Sequence, residues 1–410
     1  MNVVIAWIRS NVASVIFIAL MIAAIVALPY VAGRMNASVQ KDMTARMGQL
    51  TELQKLEKTS VKITPLNGPP IEESVLINEN LLARLKEVTE AEREDASRVL
   101  EAARLHNRKD RGVLHESVFP EPPPAEREVL PLQFHRRLTQ AYEQLLHRLN
   151  AGSPPDVETM AEKIERTRQN FLTQTLQKSG AEGLDADEQA QLRDVLTKQR
   201  MSLYAEQAER IGVYATVDAL RVPAWEQTRL PPQGELFEWQ WQYWVVEDLL
   251  AAIGDANLGP GDARYSVLQA PVKRVLDIAV YAAPAPRAAG APSPSAEVRP
   301  DYAVSFTGRV TNPLFDVRDV ELRLVVDTAR LPVVFDALAR RNFITILDAD
   351  LIPADHYAAA RDGFFYGSEP VAELTLQLET IWLRSWTGEF MPDETKQALG
   401  VPLPRQPAGG

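Results

Sequence analysis

The sequence predicts an α+β protein whose long helical amino-terminal part leads into a sheet-containing domain. Three observations carry this reading. An uncharged apolar run lies between Arg9 and Arg34, spacings of three and four mark segments from Met35 to Ile253, and period-two alternation begins at Val272 and recurs as far as Trp382. The 410 residues include 44 basic and 55 acidic side chains, a formal charge of −11, and no cysteine. The missing thiols exclude a disulfide framework, a zinc-cysteine knuckle, an iron–sulfur cluster and a cysteine nucleophile. The acidic balance gives no general electrostatic reason to bind nucleic acid. The length allows two to three domains, and 29 prolines against 20 glycines point to several breaks and linkers.

Residues 1–9 read as a short tail and 10–33 as a transmembrane helix. At about 1.5 Å per residue, such a helix covers the ~30 Å hydrocarbon layer. Trp7 and Tyr30 stand near opposite ends, where amphipathic rings favour the headgroups. A cleaved signal peptide is the rival reading. Its apolar region is normally about 7–15 residues long and ends at a small-residue cleavage site. Here the run is longer and continues into Arg34, Met35 and an amphipathic segment, which favours an uncleaved anchor. Charge does not fix the orientation: Arg9 precedes the span, whereas Arg34, Lys41 and Arg46 follow it.

Residues 34–125 read as a helical, coiled-coil stalk. Met35, Val39, Met43, Met47, Leu50 and Leu56 form one apolar stripe. Leu81, Leu82, Leu85, Val88, Val99 and Leu105 mark a second helix beyond Pro65, Pro69 and Pro70. Mixed-sign charges around them suit helix faces that pair in a coiled coil, or solvated helices that pack back on their own chain. Met43, Met47 and Leu50 are the stalk positions expected to make the contact. Residues 126–230, entered after Pro120 and Pro122 to Pro124, read as three helices. They run from Leu132 to Leu149, from an Asp156 cap towards Gly180, and from near Asp185 to Ile211, and are expected to cover one another as a small bundle.

Residues 231–390 change period. Leu236, Trp239, Tyr243, Val246, Leu250 and Ile253 make a helical stripe; Phe237 to Tyr243 alternates as a strand would, but the run through Leu249 and Ala252 does not stay on one strand face. On the helix, Phe237, Trp241 and Trp244 form a second face. Trp241 and Trp244 are therefore candidates for a contact with a partner, or for core. Strand patterns follow at Val272 to Val280, Tyr302 to Val310 and Val320 to Val326. Then comes a helix capped by Thr328, with Pro332 in its first turn and Asn342 as a left-handed terminator. Phe343 to Leu351 reads as a largely buried strand and Ala372 to Trp382 as an alternating one. An α-β-β unit used twice gives a four-stranded antiparallel sheet with both helices on one face, a circularly permuted ferredoxin-like αββαββ domain. The Ala/Pro-rich insertion 282–300 and the tail 391–410 read as unstructured.

Motifs for chemistry are missing from the sequence. His106, His115, His135, His147 and His356 have no metal-ligand spacing, and there is no phosphate loop, dinucleotide fingerprint or nucleophile elbow. No cofactor or metal is expected. Asp348 and Asp350 share one strand face and could form an acid/base pair or take a cation, but read more simply as solvent-side polar residues. Asp316, Arg318, Asp319 and Arg323 read as a salt-bridged, exposed strand face. The cluster of Trp239, Trp241, Tyr243 and Trp244 leaves a second class of function open, a membrane-anchored extracytoplasmic sensory or ligand-binding module whose pocket they would line.

The single span, the stalk and the αββαββ order, with the stretch Val304 to Asp350 (VSFTGRVTNPLFDVRDVELRLVVDTARLPVVFDALARRNFITILDAD), resemble the PilO family of type IV pilus assembly proteins and the related GspM proteins of type II secretion. The helical section from Leu130 to Ile211 departs from that pattern. The resemblance implies a non-enzymatic, bitopic subunit of the bacterial inner membrane with a short cytoplasmic tail and its bulk in the periplasm. It further implies a homodimer, or a heterodimer with a PilN-like subunit, formed through coiled-coil and ferredoxin-like domains. Other pilus or secretion envelope subunits would be its further partners.

Overall fold

The computed structural model describes residues 12–57, 60–63, 71–74, 79–281, 307–309 and 311–401. They divide into two compact units, Met1–Val99 and Leu100–Gly410.

In the first unit, helix α1 (Val12–Glu57) is continuous for 46 residues. The apolar span and the amphipathic segment beyond it are thus one element, about 69 Å long at helical rise. Pro29 sits inside the apolar part of the helix, a position that membrane-spanning helices tolerate. The span is long and apolar enough to cross a membrane, and no part of it is buried by protein. A hairpin that the sequence did not announce follows, β1 (Ser60–Ile63) paired antiparallel with β2 (Ile71–Ser74). Helix α2 (Glu79–Arg108) then runs from the first unit into the second.

The second unit is built on a six-stranded mixed sheet. Its helices and strands are α3 (Leu130–Arg148), β3 (Ala151–Gly152), α4 (Val157–Asn170), α5 (Ala186–Arg210), β4 (Val213–Tyr214), α6 (Gln233–Ala256) and β5 (Val272–Val280), and then β6 (Phe315–Asp327), α7 (Leu331–Arg341), β7 (Ile344–Pro353), α8 (His356–Arg361), β8 (Val371–Leu383), α9 (Arg384–Thr387) and α10 (Asp393–Ala398). The strand order is β3-β4-β5-β6-β8-β7. β5, β6, β8 and β7 pair antiparallel, while the two-residue strands β3 and β4 extend the β5 edge in parallel. The sheet therefore exceeds the four strands expected, because the helical section itself contributes backbone to it.

That section is not a bundle of three. α3 packs against α6 in the main core, burying Phe134, Leu138, Tyr142 and Leu145. The approach is close: a Cβ on Gly254 of α6 would lie 3.0 Å from the Leu149 side chain. α4 and α5 instead form a hairpin with a small cluster of their own, Leu172, Leu184 and Leu192. Asp156 caps α4 by accepting from the Thr159 amide, and Asp185 with Glu188 closes a capping box on α5.

α6 is a helix, as the longer pattern required, and is buried on most of its circumference. One face meets Val320, Leu322, Leu324, Leu374, Leu376 and Leu378 of the sheet, and α7 packs beside it. Two expected helix ends differ. Asp327, not Thr328, caps the 3-10 turn that precedes α7, because its carboxylate reaches the Ala329 amide. Asn342 is extended rather than left-handed, with its side chain buried. β7, expected to be largely buried, buries only Ile344; it is the last strand of the sheet, and residues 348–353 are exposed.

Asp316 and Arg318 are 0% and 1% exposed rather than on a solvent face. They alternate in step with Val320, Leu322 and Leu324, so the strand's period sends them to the helix side. Arg323 is exposed, as expected, and faces Glu373 at 3.8 Å, whereas Asp319 is half-buried. The tail expected from 391 begins later: Met391 is fully buried, α10 follows, and Leu399 packs on the same core. The insertion 282–300 and, apart from Thr307–Arg309, the strand expected from Tyr302 to Val310 lie outside the described residues. Those three residues are not in a strand.

Candidate interaction site

The residues expected to contact partners fall into two groups with opposite environments. On α1, Met43, Met47 and Leu50 are 60%, 66% and 58% exposed, and Met35, Val39 and Leu53 extend the same open stripe. In the second unit, Trp241 and Trp244 are 0% and 1% exposed. Trp244 lies 6.2 Å from Trp382 in a stacked arrangement and 4.9 Å from Trp386, and Trp241 meets Trp382 edge-on at 6.3 Å. These rings are core. Offset and edge-to-face packing of this kind adds to their area burial, and a partner protein has no access to them.

Among the described residues, the four aromatic side chains expected to line a pocket do not close around a common one; Trp239 alone borders a small one with Ala224, Pro231 and Glu235. Tyr243 packs edge-on against Tyr142, and Trp239 stands half-buried against His135. None of Trp239, Trp241, Tyr243 and Trp244 lines the larger surface cleft of this unit.

What the sequence did not single out is a buried polar joint at the carboxyl end of α2. Asn107 is fully buried and its amide is completely used. Its Nδ2 donates to Asn342 Oδ1 at 3.0 Å and to the Ile381 carbonyl at 2.8 Å. Its Oδ1 accepts from the Leu383 amide at 2.9 Å and from Trp386 Nε1 at 2.7 Å. Beside it, Asp248 of α6 is 2% exposed. Its carboxylate takes Lys109 Nζ at 2.9 Å, the Arg111 guanidinium, and Asn342 Nδ2 at 2.6 Å. Burial pulls the Lys109 ammonium below its usual pKa, opposed by the attraction of Asp248.

The chain after α2 continues as a strap along α6. Trp244 Nε1 donates to the Gly112 carbonyl at 3.0 Å, the Leu114 amide donates to Gln240 Oε1 at 2.8 Å, and Gln233 donates to the Val118 carbonyl. The last turns of α2, Leu100 onward, are therefore fixed to the sheet domain by side chains of α6 and α9, by Asn342 after α7, and by backbone groups of β8. A second pair of buried ion contacts lies across the sheet's helix face. Arg318 makes a bidentate pair with Glu238 at 2.5 and 2.7 Å and lies 3.9 Å over the Trp241 ring. Arg384 holds Asp316 at 2.6 and 2.9 Å. Burial raises the Asp316 pKa against the hydrogen bonds from Arg384.

This chemistry holds surfaces together. Among the described residues no group of three or more histidine or acidic side chains could hold a metal ion. Asp348 and Asp350 lie on one face of exposed β7, opposite Gln377 and Thr375. The signal for the joint was present but faint: Asp248 interrupts the apolar run Trp244 to Ile253, and Asn107 and Asn342 each end a helix.

No protein-family model matches the chain, and no curated protein matches its sequence. Two solved structures overlap with it. The type 4 fimbrial biogenesis protein PilO from Pseudomonas aeruginosa is 12% identical, with 53% of this chain and 98% of that one covered at a TM-score of 0.19. A structure from Akkermansia muciniphila is 7% identical, with 62% and 96% covered at a TM-score of 0.25. Both superpositions are loose, and the functional reading rests on the chain's own features.

Proposed function

We propose that this protein is a non-enzymatic, single-span subunit of a type IV pilus or type II secretion-like assembly. In this reading α1 anchors it in the bacterial inner membrane and the bulk of the chain lies in the periplasm. The observation that carries the proposal is α1 itself: one helix begins as an apolar span and continues without a break into the exposed stripe of Met43, Met47 and Leu50. A stripe of that kind buries itself in water only against another helix. The occupant is a second copy or a PilN-like subunit. Two copies anchored at the same end would pair in parallel, since both helices leave the membrane in one direction.

Apart from the short helix α8 between β7 and β8, the order of α6 to β8 is αββαββ, and with strand order β5-β6-β8-β7 it supports a permuted ferredoxin-like domain at the core of the second unit. The pilus or secretion setting comes from the sequence resemblance over Val304 to Asp350. The absence of cysteine makes the test direct. Met47→Cys and Leu50→Cys variants each carry a unique thiol. Mild oxidation in native membranes is expected to trap a disulfide-linked dimer through Met47→Cys, or a crosslink to the PilN-like subunit if that subunit carries the matching cysteine. Thiols at both positions that remain reducible monomers with either partner would defeat the reading.

A further inference from the structure

The six-stranded sheet ends on one side in β3, two residues long, and on the other in β7, ten residues long. A strand cut so short offers an incoming strand little to pair with, whereas a long edge leaves a row of backbone groups open. Beyond the register shift between Ile346 and Asp348, β7 keeps one unbroken register against β8, from Asp348 opposite Gln377 to Pro353 opposite Ala372. All six residues of this half are exposed, Leu351 and Ile352 by 40% and 56%.

The direction of each backbone group follows from one bond. The Ala354 amide donates to the Val371 carbonyl at 3.2 Å and continues the same register. Antiparallel pairs alternate between bonded and open, so Ile352, Asp350 and Asp348 also turn their backbone groups towards β8, while Ala349 and Leu351 turn their N–H and C=O groups outward. Pro353 adds an outward carbonyl without a donor. Side chains alternate too. Ala349 and Leu351, opposite Leu376 and Leu374, share the helix-covered face, and Asp348, Asp350 and Ile352 share the other. On that second face Arg309 pairs with Glu379 and Arg323 with Glu373, and among the described residues no ion pair reaches Asp350.

A second copy fits this edge poorly. If β7 paired antiparallel with itself, Ala349 opposite Leu351 would set Asp350 against Asp350, and Ala349 opposite Ala349 would set Asp348 against Asp350. With Leu351 opposite Leu351, Pro353 falls in a bonded pair that it cannot complete. We infer that the exposed half of β7 is a docking edge for an extended, cationic segment of a partner protein, which joins the sheet as a further strand. Running antiparallel to β7, the segment bonds to Ala349 and Leu351 through its backbone. It sets one Lys or Arg beside Asp350 and another, two residues on, beside Asp348, and lays an apolar side chain on Ile352.

The probe is the end-capped, fluorescent peptide Thr-Val-Thr-Lys-Val-Lys-Thr, followed by anisotropy against the full-length protein in nanodiscs of zwitterionic lipid. Two control peptides separate charge from backbone: one carries Glu in place of both Lys, and one is N-methylated at its third and fifth residues, which removes the ladder donors and keeps the charge. The probe is expected to bind at least tenfold more tightly than either control. Asp350→Lys, at an exposed position, is expected to reverse the preference in favour of the Glu peptide with no change in thermal midpoint. Equal affinity for the N-methylated peptide reduces the binding to general attraction by a chain of charge −11 and overturns the proposal. An Asp350→Lys protein that keeps the wild-type order also overturns it. So does a wild-type dimer that is lost on Ala349→Pro while no peptide binds, an outcome that assigns the edge to a second copy.

Discussion

Single buried polar side chains decide how the domain is closed. Asp248 balances Lys109 and Arg111 from a buried position, so its replacement leaves half-buried Lys109 without its carboxylate and buried Arg111 with Glu247 alone. Asp248→Ala is expected to destabilise the second unit by about 3–5 kcal/mol, the cost typical of breaking a buried pair from one side, measured by urea unfolding followed through tryptophan emission. Lys273 gives a pH signature. It is fully buried, its Nζ donates to the Val267 and Leu268 carbonyls at 2.8 and 2.9 Å, and burial lowers its pKa to about 8. The unfolded chain holds that proton up to about pH 10.4. Between these values the unfolded state binds more protons, so this group makes stability rise with pH from about 8 upward. Tyr214 and Tyr243, pushed up to about 12 by burial, act in the opposite sense above pH 10. The difference between wild type and Lys273→Met isolates the lysine: it is expected to shift in favour of the wild type from pH 8 to pH 10. A flat difference would count against the assignment.

At the scale of elements, much was legible from periodicity. α6 extends three residues beyond each end of the stripe from Leu236 to Ile253, and β5 has the bounds of the run Val272 to Val280, although two register shifts break its alternation so that Val272, Val275 and Ile278 enter the main core and Leu276 packs in another cluster. Asp156 and Asp185 announced their helices because capping is local chemistry. The misreadings share one cause. Whether β7 is covered, whether Asp316 and Arg318 face water, and whether Met391 begins a tail depend on what other elements occupy the neighbouring space. α10 illustrates this: six residues with little pattern of their own stay ordered because Met391 and Leu399 enter the core beneath α6 and Trp386. Met391→Ala is expected to cost about 2–5 kcal/mol in thermal or chemical unfolding, as for other fully buried methionines. A near-neutral effect would show that the segment is not part of the cooperative unit.

For the whole molecule, the division at Val99 and Leu100 separates a unit whose described apolar side chains are nearly all open from one with a large closed core. The first has surface to offer and the second has little, which is why the search for partner contacts moves from Trp241 and Trp244 to α1. A soluble fragment from Arg34 onward is expected to self-associate in sedimentation velocity. The double variant Met47→Lys with Leu50→Lys is expected to lower the dimer fraction at least fivefold with no change in tryptophan emission. Unchanged sedimentation would remove the stripe from the interface. The site as a whole was half legible: the exposed stripe follows from spacing alone, whereas the joint at Asn107 joins residues up to 279 positions apart.

The sequence by itself determined the features set by local rules. It marked the apolar span by its composition, the helices by their stripes and caps, the strands by their alternation, and the lack of thiol chemistry by the absence of cysteine. Tertiary structure alone decided that the tryptophans are core, that the helical section lends two strands to the sheet, and that Asn107 and Asp248 lock α2 to the domain. Those outcomes depend on burial and on hydrogen-bond partners brought together across hundreds of residues, and no window along the chain contains both sides of such a contact.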